Sequence, residues 1–187
     1  MVELSIDVFV SVDGYAFGSR SPGYFGFYGP DLEKWINEHA DRPHRALMGR
    51  RTYTALNELP DEVRDAGWHR MVTTPTIVFS RTLTSVDWPG ATLCANDAID
   101  EVRNLKQTGD EDTRTIGSLS LARQFLDAGL VDHLRLLVFP VVLGQSGQQP
   151  ALAGTPDLAL ELVDHRILDG RIACYDYRPA GPPPYSS

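Results

Sequence analysis

The sequence predicts an α/β fold with a mainly parallel sheet and an antiparallel edge. Strand-like apolar segments alternate with helix-like segments from residue 3 to residue 143. Residues 158–177 then form a pattern typical of a β-hairpin that turns at Asp169-Gly170. A chain of 187 residues with 42% hydrophobic content is long enough for one domain with a sizeable core. We therefore expect one domain over residues 1–178 and a disordered, Pro-rich tail over residues 179–187.

The first half of the chain opens with a strand and a long aromatic loop. The loop, residues 13–30, is rich in Gly, Tyr and Phe and has no clear period, which is typical of a lid or a binding loop. The predicted elements around it are, in order, a strand over 3–12, a helix over 31–40, a strand over 45–49, a helical turn from Arg50 or Arg51, and a strand over 75–80.

The second half alternates more regularly, and its helices carry end signals. Asn96 is the expected cap of one helix, whose first turns are acidic and whose last turn is basic, as the helix dipole favours. Ser118 can cap the next helix and Gly129 can close it. The predicted elements are a strand near 91–95, a helix after Asn96, a strand over 113–117, a helix over 118–129, a strand over 131–143 and the hairpin.

Charge and cysteine content exclude several classes of protein. The formal net charge is -8 with no basic stripe, which argues against a nucleic-acid partner. No apolar run is long enough to span a bilayer, and the apolar N-terminus has no basic leader, so we expect no membrane association and a cytoplasmic location. Cys94 and Cys174 stand isolated in apolar stretches, and the histidines lack metal-ligand spacing. We therefore expect buried thiols and no metal.

Three predicted strand ends carry residues that suit anions. Ligands of open α/β sheets bind outside the carboxyl ends of the strands. One end is Gly49-Arg50-Arg51-Thr52, where arginine forks and a helix N-terminus match phosphate oxygens. The second is Ser80-Arg81. The third is Gly117-Ser118-Leu119, a small-residue turn that opens a helix.

Each of these ends also has a purely structural interpretation. The arginines can be solvated surface charges, Ser80-Arg81 a strand exit, and Ser118 an N-cap. Together, three anion-binding ends favour a dinucleotide with three phosphates. The chain has no GxGxxG after its first strand and no GxxxxGK[ST], so neither the common Rossmann fingerprint nor a P-loop is present.

Several segments resemble one known superfamily. LMGRRTY at 47–53, the SR of VFSRTL, SVDG at 11–14 and the segment IGSLSLARQFLDAGLVDHLRLLVFPVVLG together resemble the dihydrofolate reductase-like superfamily. The closer resemblance is to the C-terminal reductase domain of the bifunctional riboflavin-biosynthesis deaminase-reductase, here in a stand-alone form, over roughly residues 3–178. It implies a central, mostly parallel eight-stranded sheet, flanked by helices, with NADPH across the strand ends.

The resemblance also implies roles for single residues. Gly49, Arg50, Arg51 and Thr52 would approach the pyrophosphate, and Gly117, Ser118 and Leu119 would form the phosphate-binding turn. Ser80 and Arg81 would take the adenosine 2′-phosphate, which favours NADPH over NADH. The backbone near Val10 and Ala16 would border the nicotinamide.

Two carboxylates are catalytic candidates. Asp31 occupies the place where dihydrofolate reductases carry the acid that binds the pterin, although it can instead cap the helix that follows. Asp13 in SVDG is a second candidate, although it can instead form a turn.

These observations predict an NADPH-dependent reductase of a small heterocyclic or carbonyl substrate, pterin-like or pyrimidine-like. The alternatives are a true dihydrofolate reductase and a non-catalytic NADPH-binding sensor or scaffold. The apolar strand 131–143 and the hairpin offer more hydrophobic face than one helix layer covers, so we also expect a homodimer through this region.

Overall fold

A computed structural model describes residues 1–186 and shows an eight-stranded sheet flanked by helices. The sheet has the strand order β5-β4-β3-β6-β1-β7-β10-β9, and a separate two-stranded sheet pairs β2 with β8. Within residues 1–186 the strands are β1 Leu4–Ser11, β2 Tyr15–Gly18, β3 Arg45–Gly49, β4 Thr76–Phe79, β5 Ala91–Cys94, β6 Thr113–Thr115, β7 His133–Phe139, β8 Gly147–Pro150, β9 Leu160–Leu168 and β10 Ile172–Pro179.

The α-helices alternate with strands as predicted, except for α3, which follows α2 with no strand between them. They are α1 Pro30–Ala40, α2 Arg50–Asn57, α3 Ala66–Thr73, α4 Ala98–Thr108 and α5 Leu119–Asp127. Proline suits the first position of α1 because the missing N–H has no partner there anyway. Gly129 closes α5 with a positive φ of 65°, and this confirms the predicted helix end.

The chain forms two compact units. The first comprises Met1–Leu4 and Pro43–Leu130, and the second comprises Ser5–Arg42 and the chain from Val131 onward. In the first unit, β4 pairs in parallel with both β3 and β5, and β3 pairs in parallel with β6. Its core side chains are Met48, Tyr53, Val72, Val78 and Trp88.

The second unit contains the antiparallel edge. Strand β1 pairs in parallel with β7, whereas β10 pairs antiparallel with both β7 and β9. Helix α1 covers one face of this part of the sheet, and the core there is formed by Leu32, Trp35, Leu137, Phe139, Leu168, Ile172 and Cys174. The predicted fold class, α/β with a mostly parallel eight-stranded sheet, an antiparallel edge and flanking helices, is confirmed.

Several local expectations were wrong. The aromatic loop contains a strand, β2, which pairs with β8, and no element was predicted for the region that forms α3, between the turn at Arg50 or Arg51 and the strand over 75–80. Strand β7 ends at Phe139 and does not continue to residue 143. Helix α4 is capped by Asp97, not Asn96, because the Asp97 carboxylate accepts hydrogen bonds from the N–H groups of Ile99 and Asp100.

The C-terminal residues continue from β10. Backbone hydrogen bonds join Ala180 and Gly181 to Ala159, and the Tyr185 hydroxyl lies 3.0 Å from Asp157 Oδ2. Ser187, the last residue of the predicted tail, lies outside the described residues. One domain over 1–178 with a tail over 179–187 stays a prediction. Among the described residues, no helix has the length and apolar character needed to cross a membrane.

Candidate functional site

In the first unit, the ends of β3 and β6 are joined by one serine side chain. The Ser118 hydroxyl accepts a hydrogen bond from the Gly49 N–H at 2.7 Å and lies 2.8 Å from the Thr52 hydroxyl. Gly49 ends β3, and Thr52 belongs to the first turn of α2. The two predicted phosphate-binding segments are therefore in direct contact.

The turn after β6 requires small residues and an unusual backbone. Gly117 has a φ of +56°, and Ser118 a φ of 59°, in the left-handed region that most side chains disfavour. A Cβ atom on Gly117 would lie 3.0 Å from Thr52 Cγ2, which is tighter than an ordinary contact. The peptide bond between the two residues is trans. This turn therefore brings backbone close to the start of α2.

The helices that begin at these two strand ends have no side-chain caps. The N-cap residues are Gly49 for α2 and Ser118 for α5, and neither caps its helix through a side chain. By contrast, α3 and α4 are capped by the carboxylates of Asp65 and Asp97. Ser118 was expected to cap α5, and this was wrong because its hydroxyl is bonded to Gly49 and Thr52. The first-turn N–H groups of α2 and α5 thus form a favourable environment for an anion.

The third strand end lies beside the same helix. After β4, the Ser80 hydroxyl accepts hydrogen bonds from the N–H groups of Thr82 and Leu83, which shapes a tight turn. Arg50 donates from Nη1 to the Thr82 hydroxyl at 2.9 Å, so its guanidinium lies over this turn. The Arg81 side chain is 77% exposed and lies 3.8 Å from the Asp97 carboxylate. This exposed guanidinium can exchange a weak surface ion pair for a phosphate.

The remaining predicted cofactor residues are distributed between the units. Arg51 is an exposed residue in the first turn of α2, and Leu119 is the first residue of α5. Val10 in β1 is buried and Ala16 in β2 is half-buried, and both belong to the second unit. Their roles as cofactor contacts stay predictions.

In the second unit, the Asp13 carboxylate is hydrogen-bonded to the loop at residues 143–144. Its two carboxylate oxygens accept hydrogen bonds from the N–H groups of Leu143 and Gly144, at 3.1 and 2.8 Å. Bonding to the Ser11 side chain, then to the Gly144 and Leu143 N–H groups, lowers the pKa of Asp13 to about 2. The group is therefore ionised near neutral pH and can accept a proton but holds none to donate. Its catalytic role stays a prediction beside this structural one.

Asp31 does not cap helix α1. The N-cap is Gly29, and the carboxylate that bonds to the free N–H groups belongs to Asp169, in the turn between β9 and β10. The Asp31 carboxylate accepts a hydrogen bond from the Asp169 N–H at 2.9 Å. The capping role expected for Asp31 was wrong, and its catalytic role stays a prediction.

Two residues that take part in these contacts were not predicted from the sequence. The Thr82 hydroxyl, which accepts a hydrogen bond from Arg50, follows Ser80-Arg81 directly in the sequence. Its position next to a predicted anion-binding strand end could have identified it. Asp169 was identified only as a turn residue, because its partners Asp31 and Leu32 lie 138 and 137 residues away in the chain and no local pattern links them.

Comparison with known proteins agrees with this architecture. The family model described as the RibD C-terminal domain matches residues 3–174. The chain belongs to this family. The uncharacterized protein YyaP of Bacillus subtilis (strain 168) is 31% identical over 147 residues, which is 75% of this chain and 76% of YyaP.

Solved structures share the fold of this RibD C-terminal domain. A protein of Shewanella sp. PV-4 assigned to riboflavin biosynthesis has a TM-score of 0.78 at 18% identity and covers 96% of this chain and 99% of its own. A diaminohydroxyphosphoribosylaminopyrimidine deaminase/5-amino-6-(5-phosphoribosylamino)uracil reductase of Thermotoga maritima has a TM-score of 0.66 at 16% identity. That match covers 96% of this chain and 57% of the Thermotoga protein. Family membership favours an oxidoreductase of the riboflavin-pathway reductase type.

Proposed function

We propose that this protein is an NADPH-dependent reductase of a small heterocyclic or carbonyl substrate, with a pyrimidine as the first candidate. One observation carries the proposal. Two helix N-termini without side-chain caps, those of α2 and α5, adjoin each other at the ends of β3 and β6, and arginines lie beside them. A dinucleotide pyrophosphate is a ligand that uses both termini.

The pyrophosphate would be held mainly by backbone. Gly117 and Gly49 have no side chains that could cover the two helix starts, and the Ser118 hydroxyl keeps the two segments together. Arg51, exposed in the first turn of α2, would add a charge-assisted hydrogen bond to a phosphate oxygen. Together these groups would balance the two negative charges of the pyrophosphate without requiring a metal ion.

The adenosine 2′-phosphate would bind at the turn after β4. The Arg81 guanidinium is exposed there, and the contact between Arg50 and Thr82 brings a second guanidinium to the same turn. A guanidinium fork gains a strong pair only when the 2′-phosphate is present, which supports NADPH over NADH.

NADPH, when bound, supplies a hydride from its nicotinamide ring. The protein residues would orient the substrate and exclude water. In the second unit, aromatic rings surround the end of β7, with Phe25 centred 5.3 Å from Phe139 and Tyr24 5.5 Å from Phe9. Such rings suit stacking against a flat heterocycle.

The homodimer stays a proposal that the exposed face of the hairpin supports. On the sheet face opposite α1, Tyr175 and Tyr177 stack with ring centres 5.8 Å apart. Ile167, on the neighbouring edge strand, is 61% exposed. A second copy fits this face best, because a two-fold dimer pairs one apolar patch with itself. The cytoplasmic location also stays a prediction.

The test is NADPH oxidation, followed at 340 nm, with a panel of substrates. The panel contains 5-amino-6-(5-phosphoribosylamino)uracil, dihydrofolate and small carbonyl compounds, and NADH replaces NADPH in a parallel series. Reduction of the pyrimidine with a preference for NADPH supports the proposal. Turnover of dihydrofolate alone would support the dihydrofolate reductase alternative. NADPH binding without turnover of any compound would support a sensor or scaffold.

A further inference from the structure

The turn between β9 and β10, residues 169–171, is bonded to the start of helix α1 in both directions. The Asp169 carboxylate accepts hydrogen bonds from the N–H groups of Asp31, at 2.9 Å, and Leu32, at 3.1 Å. The Asp169 N–H in turn donates to Asp31 Oδ2 at 2.9 Å. Asp169 therefore does for α1 what an N-cap side chain ordinarily does, but from a distant part of the chain.

The same turn also contacts the residues that precede α1. A Cβ atom on Gly29 would lie 2.4 Å from the Asp169 carboxyl carbon, so only glycine allows this approach. The Arg171 guanidinium donates to the Tyr28 carbonyl oxygen at 3.5 Å and lies 5.4 Å from the centre of the Phe27 ring. Phe27, Tyr28 and Gly29 thus all lie against the turn, the first two in contact with the Arg171 guanidinium and the third beside the Asp169 carboxylate.

The fastened residues end a strained aromatic segment, residues 23–28. Tyr24 and Phe25 have φ values of 51° and 53°, in the left-handed region that side chains with a Cβ atom avoid. Such a backbone persists only where the surroundings hold it. On one side the surroundings are the Phe9 and Phe139 rings, which pack against the segment. On the other side they are the 169–171 turn.

The aromatic segment lies at the end of the sheet where ligands bind in α/β folds. Phe139, which contacts Phe25, is the last residue of β7, and β7 runs parallel to β1. Ala173 of β10 pairs with Val138, so the 169–171 turn lies at the same end of β7. All of these contacts are within the second unit.

We propose that the 169–171 turn fixes the aromatic segment as a wall of the substrate site, and that Asp169 is a positioning residue for substrate binding. The inference rests on the proposed reductase function for the identity of the substrate, a pyrimidine. The positioning itself acts on the backbone of residues 23–32 and is measurable without any substrate.

The test compares three variants with the wild type. Asp169→Gly removes the carboxylate and tolerates the local backbone, where Asp169 has a φ of 51°. Asp169→Asn also tolerates a positive φ and keeps one acceptor oxygen. Asp164→Asn is the matched control, because Asp164 lies in the same hairpin and its carboxylate bonds to Arg166 and the His165 N–H, not to α1.

Hydrogen exchange and steady-state kinetics give separate readouts. In Asp169→Gly, amide exchange over residues 23–32 should be at least about tenfold faster, because the start of α1, to which the aromatic segment leads, loses both of its bonds to the Asp169 carboxylate. The KM for 5-amino-6-(5-phosphoribosylamino)uracil should rise about tenfold, because the free segment must be ordered on binding. The Kd for NADPH should be unchanged. Asp169→Asn should recover part of both effects, and Asp164→Asn should match the wild type.

Three results have distinct meanings. Unchanged exchange over residues 23–32 in Asp169→Gly would overturn the inference. Faster exchange with an unchanged KM for the pyrimidine, in an active enzyme, would overturn the positioning role. A wild type that binds NADPH but reduces no pyrimidine would contradict the proposed function alone, and exchange over residues 23–32 would still decide whether the turn fixes the segment.

Discussion

The hydroxyl contact that joins the two helix starts allows a quantitative prediction. Ser118 Oγ takes part in two hydrogen bonds, with the Gly49 N–H at 2.7 Å and with the Thr52 hydroxyl at 2.8 Å. A net hydrogen bond contributes about 1 kcal/mol to the free energy of unfolding. Ser118→Ala should therefore lower it by about 2 kcal/mol, and Thr52→Val, which keeps the branched shape, by about 1 kcal/mol.

The double variant should reveal that one bond is shared. Because both substitutions remove the same contact between hydroxyls, their combined effect should be about 2 kcal/mol, not about 3 kcal/mol, a coupling of about 1 kcal/mol. Urea unfolding at 25 °C, followed by tryptophan fluorescence with a constant m-value, measures it. Ser120→Ala, an exposed position in the first turn of α5, is the control and should change stability by less than about 0.5 kcal/mol. Additive effects of the two substitutions would refute the contact.

Four further predictions concern charge, thiol reactivity, assembly and pH. Arg81→Ala should weaken NADPH binding by about 1.5–3 kcal/mol and leave NADH binding nearly unchanged, as measured by calorimetry; equal wild-type affinities for both nucleotides would contradict this assignment. Burial raises the pKa of the Cys174 thiol to about 11, so at pH 8 this thiol should stay unreactive toward a disulfide reagent until the protein unfolds. Fast labelling of both cysteines in the native protein would contradict this prediction. Ile167→Glu should convert a dimer to a monomer in light scattering, whereas Val63→Glu, at a position 56% exposed and outside the predicted dimer region, should leave the mass unchanged; a monomeric wild type would exclude the dimer. The pKa of Asp13 is lowered from 3.8 to about 2, so its carboxylate stabilises the fold above pH 3.8 and this contribution disappears as the pH falls through 2. The difference in stability between wild type and Asp13→Asn should therefore shrink between pH 4 and pH 2, and a difference that is constant with pH would argue against this bonding.

Regular elements could be predicted because their signals are local. The apolar segments that became β3, β4 and β7 and the spacing in α1 and α5 depend on neighbouring residues only. Strand β2 was missed because its four residues pair with β8, far along the chain, and have no strand pattern of their own. Helix α3 was missed because Gly67 disfavours a helix and the polar residues around it make the apolar pattern of this short segment weak.

The candidate site was predicted in its parts but not in its contacts. Gly49, Thr52 and Ser118 were singled out from small-residue turns at strand ends, and they do meet. Ser118 bonds to Gly49 and leaves α5 without a side-chain cap because its backbone is left-handed. A serine in the sequence does not predict that conformation. Asp169 acts on α1 across 138 residues, and only the fold brings such partners together.

The central claim is that the uncapped starts of α2 and α5 bind NADPH, and Gly117→Ala tests it most directly. The new methyl group would lie 3.0 Å from Thr52 Cγ2, within the proposed pyrophosphate site. Gly129→Ala is the matched control, because Gly129 has a similar φ of +65° and no atom within 4 Å of the added Cβ, so it introduces the same backbone strain alone. In calorimetric titrations, the wild type and Gly129→Ala should bind NADPH with equal affinity, and Gly117→Ala should bind it at least about tenfold more weakly. Equal affinity of all three proteins for NADPH, or no binding by the wild type, would contradict the account.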